Sequence, residues 1–336
     1  MEQPSITPES IFTILNGHQR TATLKAAIDL DLFSAIYEGN RTLSRLAARC
    51  QASERGIRML ADGVTMFGLL NKNTAGYQLT AESERFLVKS SPAYLGGIVE
   101  FMLASPLYDG FRRLTEAVQK GGTALDEQGT TAAEHPEWVT FAQAMIPMMM
   151  PPAKWIADYL AAESVSVTKV LDIAAGHGMF GIEIAKQFPQ STVVAVDWPN
   201  VLDVAKEQAQ AAGVSDRYET IPGNAFSVEY GNGYDVILLT NFLHHFDPST
   251  CESLLRKLYP ALHKHGRVIT LEFVPNEDRV SPASADFALV MLATTPAGDA
   301  FTFKELKTMF NNAGFGDSEI HDVPDSKEHV LVTHKT

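Results

Sequence analysis

The stretch from Lys169 to Asn200, KVLDIAAGHGMFGIEIAKQFPQSTVVAVDWPN, leaves this chain few folds to choose from. Lys169 to Ala174 is a short apolar run rich in β-branched residues, the pattern of a buried parallel strand. Gly176, Gly178 and Gly181 follow with the spacing G-x-G-x-x-G, and Ile182 to Phe188 has helical periodicity. A second apolar run, Thr192 to Val196, ends in Asp197. Strand, glycine turn, helix and a strand closing on an acid make half of a doubly wound nucleotide-binding α/β fold. Glycines let the backbone turn tightly and approach a ligand. The helix that follows offers unpaired N–H groups, and an acid at the tip of the second strand lies within reach of a ribose. Asp197 stands 21 residues after Gly176, near the fingerprint offset of about 20.

By itself this motif suits a nicotinamide dehydrogenase. Asp172, expected to be buried near the end of the first strand, argues otherwise, because a carboxylate aimed at the loop would repel a pyrophosphate. It suits a ligand that is neutral or cationic there, such as S-adenosylmethionine. The runs VLDIAAGHG and VVAVDWPNV resemble the S-adenosylmethionine-dependent small-molecule O-methyltransferases, the group of the plant caffeate and isoflavone enzymes and their bacterial relatives. The resemblance extends from about residue 10 to the end. It implies a Rossmann-like class I methyltransferase sheet, mostly parallel with a C-terminal antiparallel hairpin, joined to an N-terminal, mainly helical winged-helix domain. The expected divisions are a dimerisation domain over 1–110, connecting helices lining the substrate pocket over 111–160, and the cofactor-binding catalytic domain over 161–336.

At 336 residues, 45% of them hydrophobic, the chain is long enough for two domains with cores of their own. Its 27 basic and 40 acidic residues give a net charge of −13, which disfavours a nucleic-acid surface. Cys50 and Cys251 match no metal or redox spacing, so free thiols in a reducing cytoplasm are expected. The polar N-terminus reads as no signal peptide, and no apolar run has the length of a membrane span. A cytoplasmic protein is expected, with no structural metal and no nucleic-acid or membrane partner.

Residues 8–38 carry helical periodicity. Thr42 is placed to cap the helix SRLAARC, and Ser53 to open ERGIRMLADGVTMFGLL. NKNTAGYQLT then reads as two short strands. Helix, turn, helix and wing admit a DNA-binding reading, with Arg41, Arg45, Arg49, Arg55 and Arg58 on phosphates. The acidic chain and the apolar second helix favour packing or dimerisation instead. The resemblance implies an intertwined homodimer whose winged helix helps close the partner's active site. The methionine-rich segment TFAQAMIPMMMPPAKW suits irregular packing, and by resemblance it lines an acceptor pocket, with Phe141 and Met145 on substrate-contacting positions.

For the cofactor, the resemblance implies Asp172, Ala174, Gly176, Gly178, Asp197, Trp198, the turn Asn224–Ala225–Phe226, and Thr240. Ala174 replaces the first loop glycine, Asn224 replaces an aspartate facing the adenine amine, and Thr240 stands where plant members often have lysine. YDVILLTNFLHHFDP reads as a fourth strand with His244 and His245 at its carboxyl end, where such sheets bind ligands. By resemblance His244 is the general base and His245 lies on the substrate side. Glu272, ending the strand RVITLEF, matches the carboxylate that orients the base. Ala300 stands where a second glutamate flanks it, with Asp299 beside it. Residues 284–295 would lay a helix across the acceptor with Met291 and Thr295 near it. SEIHDV and HVLVTHK read as the closing hairpin. The expected reaction is methyl transfer to a hydroxyl of a small aromatic or polyketide-like acceptor. An imidazole of pKa about 6.5 would take the proton of a phenol of pKa about 10. Nitrogen or carbon methylation, or use of the cofactor without methyl transfer, are the alternatives on this fold, with a winged-helix DNA-binding regulator further off.

Overall fold

The computed structural model describes residues 7–103, 105–132, 137–163, 165–324 and 326–336. The chain divides into two compact units, Met1–Val99 and Glu100–Thr336.

The first unit carries α1 (Glu9–Leu15), α2 (Gly17–Asp29), α3 (Leu32–Tyr37), α4 (Leu43–Arg49), α5 (Glu54–Met66), the antiparallel hairpin β1 (Leu70–Asn73) and β2 (Gly76–Leu79), and α6 (Ala81–Leu87). Ser53 caps α5 by accepting the Gly56 N–H at 3.1 Å. The helix buries Ile57, Ala61 and Val64, one stripe at helical spacing. It stops earlier than its apolar run suggests, because Gly68 takes a φ of +79° and Leu70 turns into β1. Thr42 stands at the N-cap of α4, but its side chain makes no capping bond. Helix α1 buries none of its residues and leaves Ile11, Phe12, Ile14 and Leu15 exposed.

A short helix, α7 (Ile98–Met102), falls at the divide, followed by α8 (Ser105–Arg112), α9 (Leu114–Lys120) and α10 (Glu137–Ala162). The methionine-rich segment runs inside α10, a single 26-residue helix that contains Pro147, Pro151 and Pro152. Each proline deletes a backbone donor, yet Met149, Ala153, Ile156 and Leu160 are buried in one core, and that packing holds the helix.

The remaining elements alternate: β3 (Lys169–Ile173), α11 (Met179–Gln187), β4 (Thr192–Asp197), α12 (Pro199–Ala211), β5 (Tyr218–Pro222), β6 (Tyr234–Thr240), α13 (Pro248–Leu258), β7 (Leu262–Glu272), α14 (Phe287–Thr294), α15 (Phe303–Asn312), β8 (Ser318–Asp322) and β9 (His329–His334). Their seven strands form one sheet in the order β5-β4-β3-β6-β7-β9-β8. The first five are parallel, and β9 runs antiparallel to both β7 and β8. Apolar cores cover both faces, one around Ile156, Ile182 and Leu238, the other around Leu171, Leu255 and Phe310. The chain winds outward from β3 to β5, then returns to place β6 on the other side of β3. That reversal opens a crevice at the carboxyl ends of β3 and β6, and the expected doubly wound sheet with its antiparallel end is present.

Candidate active site

The crevice is a cleft of about 1040 Å³ of empty space, counting its open mouth. Its floor is the loop after β3. Ala174, Gly176 and Gly178 all have positive φ, at +53°, +56° and +74°. An alanine in that region costs about 1–2 kcal/mol, so the replacement of the first glycine is tolerated rather than free. At Gly181 a Cβ would stand 2.7 Å from Val193 Cγ1 and 3.0 Å from Asp172 Oδ2, so only glycine lets α11 sit this close to the sheet.

Two carboxyls flank the loop. Asp172 is fully buried, and its Oδ2 accepts the Gly181 N–H at 3.2 Å while Oδ1 has no partner. Burial raises its pKa to about 7; the Gly181 hydrogen bond opposes the rise and the charge of Asp197 adds to it. Asp197 Oδ2 accepts the Gly176 N–H at 2.8 Å, and Oδ1 accepts the Trp198 N–H at 2.7 Å. Its pKa is raised to about 6 by desolvation, against the pull of these two bonds. Each oxygen of Asp197 keeps lone-pair capacity for a hydroxyl donor.

The cleft wall brings together Phe141, Ala174, Gly176, Asp197, Trp198, Asn224, Ala225, Phe226, Thr240 and His245 of the residues expected at the site. Asn224 Oδ1 already accepts the Phe226 N–H at 2.8 Å, which shapes this turn from within. Met145, Met291 and Thr295 are not on this wall. Met145 packs against the core beneath α10, and Thr295 is buried with its hydroxyl donating to the Met291 carbonyl and accepting the Gly298 N–H. Among the described residues the wall contains no lysine or arginine, and Asp197 is its only carboxylate. A pyrophosphate would find no cation there. A ligand with ribose hydroxyls, a flat ring and a positive charge fits this lining and the orphaned oxygen of Asp172 behind it.

His177 lies in the glycine loop, a position that a spacing argument passes over because its signal is carried by the glycines. Its Nδ1 accepts the Met179 N–H at 3.1 Å, and burial pushes its pKa down to about 4, so the ring is a neutral part of the loop.

Behind the wall, at the same edge of the sheet, His244 and Glu272 are 4% and 3% exposed. Glu272 Oε1 accepts backbone N–H groups from Phe242, Leu243 and His244 at 3.2, 2.9 and 3.4 Å, and Oε2 accepts Nδ1–H of the His244 ring. One carboxylate thus anchors the turn and fixes the imidazole tautomer, leaving the Nε2 lone pair as the ring's basic site. The edge of Phe287 meets the His244 ring with centroids 4.9 Å apart. His245 adjoins it at 4.3 Å and packs edge-on against Trp138. Burial, and then the neighbouring His244, hold the His245 pKa far below that of a free imidazole. Ala300 is fully buried. Asp299 is turned to other work: its backbone N–H donates to the His244 carbonyl at 3.0 Å, and its carboxylate pairs with Arg279 at 3.3 Å and accepts the Ala300 N–H at 2.8 Å.

Among the described residues no group of three or more His, Cys, Asp or Glu side chains is arranged to hold a metal ion, and no helix is long and apolar enough to cross a membrane.

Known proteins share the two parts of this chain. Residues 138–316 match the O-methyltransferase domain, and residues 12–89 match the O-methyltransferase dimerisation domain. The chain is 28% identical over 312 residues to a 3-hydroxy-5-methyl-1-naphthoate 3-O-methyltransferase of Streptomyces sahachiroi, covering 91% of this chain and 89% of the relative. It is 25% identical over 321 residues to an L-tyrosine C(3)-methyltransferase of Streptomyces lavendulae, covering 91% and 86%. Among solved structures, a candidate O-methyltransferase of Nostoc punctiforme superposes with a TM-score of 0.96 at 49% identity, covering 98% of this chain and all of the other. Human N-acetylserotonin methyltransferase in complex with S-adenosylmethionine shares the fold at a TM-score of 0.84 and 21% identity, covering 100% and 99%.

Proposed function

The chain belongs to the O-methyltransferase family, and from that premise we propose that it methylates a hydroxyl of a small aromatic or polyketide-like acceptor, with His244 as general base. The observation that carries the reading is the buried His244–Glu272 pair at the ligand edge of the sheet. When bound, S-adenosylmethionine supplies a methyl group on a sulfonium that is already reactive.

The protein's part is positioning and proton handling. Asp197 would hold ribose hydroxyls, Trp198 and Phe226 would flank the adenine, and Asp172 would meet the ligand's positive end with a charge that burial otherwise suppresses. His244 Nε2 removes the acceptor's proton as the oxygen attacks. Glu272 keeps the other ring nitrogen protonated and stabilises the imidazolium that forms. Alignment in a cleft walled by aromatic and apolar side chains supplies the rest of the acceleration. The naphthoate methyltransferase among the relatives supports a fused aromatic acceptor. The matched dimerisation domain and the exposed apolar side chains of α1 support a homodimer. Carbon methylation is the second reading: a relative is a tyrosine C(3)-methyltransferase, and Ala300 leaves His244 with a single carboxylate partner.

Titration of S-adenosylmethionine and S-adenosylhomocysteine into wild type and Asp197→Ala tests the cofactor site, with micromolar binding expected for the first and loss for the second. A screen of phenols and hydroxynaphthoates, with product mass and site determined, then tests the reaction. His244→Ala should lower kcat about a hundredfold or more. A folded wild type that binds neither ligand, or a His244→Ala variant of undiminished rate, would overturn the proposal.

A further inference from the structure

Thr295 follows the last residue of α14 and is fully buried, away from the cleft wall where an acceptor would touch it. Its backbone is fixed at both ends: the N–H donates to the Met291 carbonyl at 2.8 Å, and the C=O accepts the Thr123 N–H at 2.9 Å. Its hydroxyl does two things at once. Oγ1 donates to the Met291 carbonyl at 2.7 Å and accepts the Gly298 N–H at 2.9 Å, so the donor and a lone pair are both in use. The Gly298 backbone lies directly against the His244–His245 peptide. A Cβ at Gly298 would stand 2.3 Å from the His244 carbonyl oxygen and 3.1 Å from the His245 carbonyl carbon. The next residue, Asp299, donates its N–H to that same His244 oxygen at 3.0 Å. A continuous set of contacts thus runs from the Thr295 hydroxyl to the main chain of His244. The adjacent Thr294 offers a contrast. It is 3% exposed and its hydroxyl donates to the Val290 carbonyl at 2.7 Å, but among the described residues that hydroxyl has no second partner.

We propose that Thr295 is a positioning residue for His244: its hydroxyl pins the Gly298 N–H, which sets the Gly298–Asp299 turn, and that turn holds the His244 carbonyl. The inference rests on the reading of His244 as the base. Glu272 fixes the ring and the backbone N–H of His244 from one side, and Asp299 fixes its carbonyl from the other. Between these two grips the imidazole has one place to stand. A valine at 295 keeps nearly the shape of threonine but offers no acceptor. The Gly298 N–H then turns toward water and draws the Asp299 N–H off the His244 carbonyl. With Glu272 still in place the ring keeps its tautomer, but the residue pivots about that carboxylate and Nε2 swings away from its working position. The base stays basic and is displaced. A misplacement of about 1 Å costs about a hundredfold in rate, and a pivot of a fraction of that about tenfold.

The deciding readout is taken on the full-length protein without cofactor or acceptor. With 15N-labelled histidine, the ring signals of His244, identified by their absence in His244→Gln, should shift in Thr295→Val and return to the wild-type position in Thr295→Ser, which restores the hydroxyl. They should stay at the wild-type position in Thr294→Val, which deletes a comparably buried hydroxyl from the adjacent residue. Methyl transfer to the phenol or hydroxynaphthoate that wild type turns over fastest gives the second readout. There kcat should fall about tenfold in Thr295→Val and recover in Thr295→Ser, while S-adenosylhomocysteine affinity changes less than about twofold. A His244→Ala variant of undiminished rate would remove the base reading without touching the ring result, so the two failures are told apart. His244 signals that do not move in Thr295→Val, or that move equally in Thr294→Val, would overturn the proposal.

Discussion

Glu272→Gln separates the two tasks of this carboxylate. Three backbone N–H groups converge on Oε1, and the His244 ring donates to Oε2. In the glutamine variant the carbonyl oxygen stays with the backbone donors, since turning the amide round would set an NH2 against three N–H groups. The glutamine NH2 then faces His244 Nδ1 and forces that nitrogen to accept. The ring proton moves to Nε2, and the base becomes a donor at the atom that should take a proton. A tautomer error of this kind lowers kcat about one hundred- to ten-thousand-fold, or about 3–5 kcal/mol of barrier. Stability should fall by only about 1 kcal/mol, the net worth of an ordinary hydrogen bond. Glu272→Ala behaves differently. It strands the ring N–H and the backbone donors in a buried place, and at about 1–3 kcal/mol per orphan, counting the two shortest, the loss is about 2–6 kcal/mol. Single-turnover methyl transfer, thermal melts and S-adenosylhomocysteine titration on both variants give the three numbers needed. A Glu272→Gln enzyme that melts and binds like wild type and keeps more than a tenth of its kcat would refute the assignment of His244 as the base.

Asp172 should make the ligand-free protein less stable as pH rises. Its folded pKa of about 7 lies above the unfolded value of about 3.9, so the folded state holds the proton more tightly, and stability present below pH 4 is lost as pH climbs through 7. The loss from Asp172 is up to about 4 kcal/mol, and urea denaturation at intervals across that range should show a steeper fall in wild type than in Asp172→Asn, where the raised pKa of Asp197 still contributes; parallel curves would disprove it. Gly178→Ala adds a Cβ at a φ of +74°, 2.5 Å from the Tyr218 hydroxyl and 3.0 Å from Ala205 Cβ. The left-handed backbone and the overpacking together cost about 2–5 kcal/mol, which a denaturant melt would register as a clear drop in midpoint; an unchanged midpoint would contradict the packing argument.

The parts of the molecule that could be read from the chain are those in which each signal is local and several coincide. β3, the glycine loop, α11 and β4 lie within thirty or so residues, and each limits what the next can be. His244 and Glu272 are 28 residues apart, but one lies in the turn just after β6 and the other ends its parallel neighbour β7, so the rule that ligands sit at carboxyl ends brings them together without knowledge of side-chain geometry. His177 and Glu328 fail that test for different reasons. The work of the His177 imidazole, accepting one N–H inside the turn, leaves no periodic trace. Glu328 lies just ahead of a closing antiparallel strand, where an acid is expected to face water.

What the chain could not disclose at these positions is less where the residues lie than which protons they carry. The pKa of a carboxyl depends on how much water its neighbours exclude and on which donors reach it. For Asp172, Asp197 and Glu328 the donors are local, Gly181, Gly176 with Trp198, and Ser326, whereas the burial that raises each pKa depends on how the whole sheet packs. All three titrate near neutrality, at about 7, 6 and 7, at one edge of one sheet. A ligand carrying a positive charge would lower the cost of ionising Asp172 and Asp197, which flank its loop. Cofactor binding should therefore release protons from Asp172 and Asp197, which calorimetric titration in buffers of different ionisation enthalpy would register.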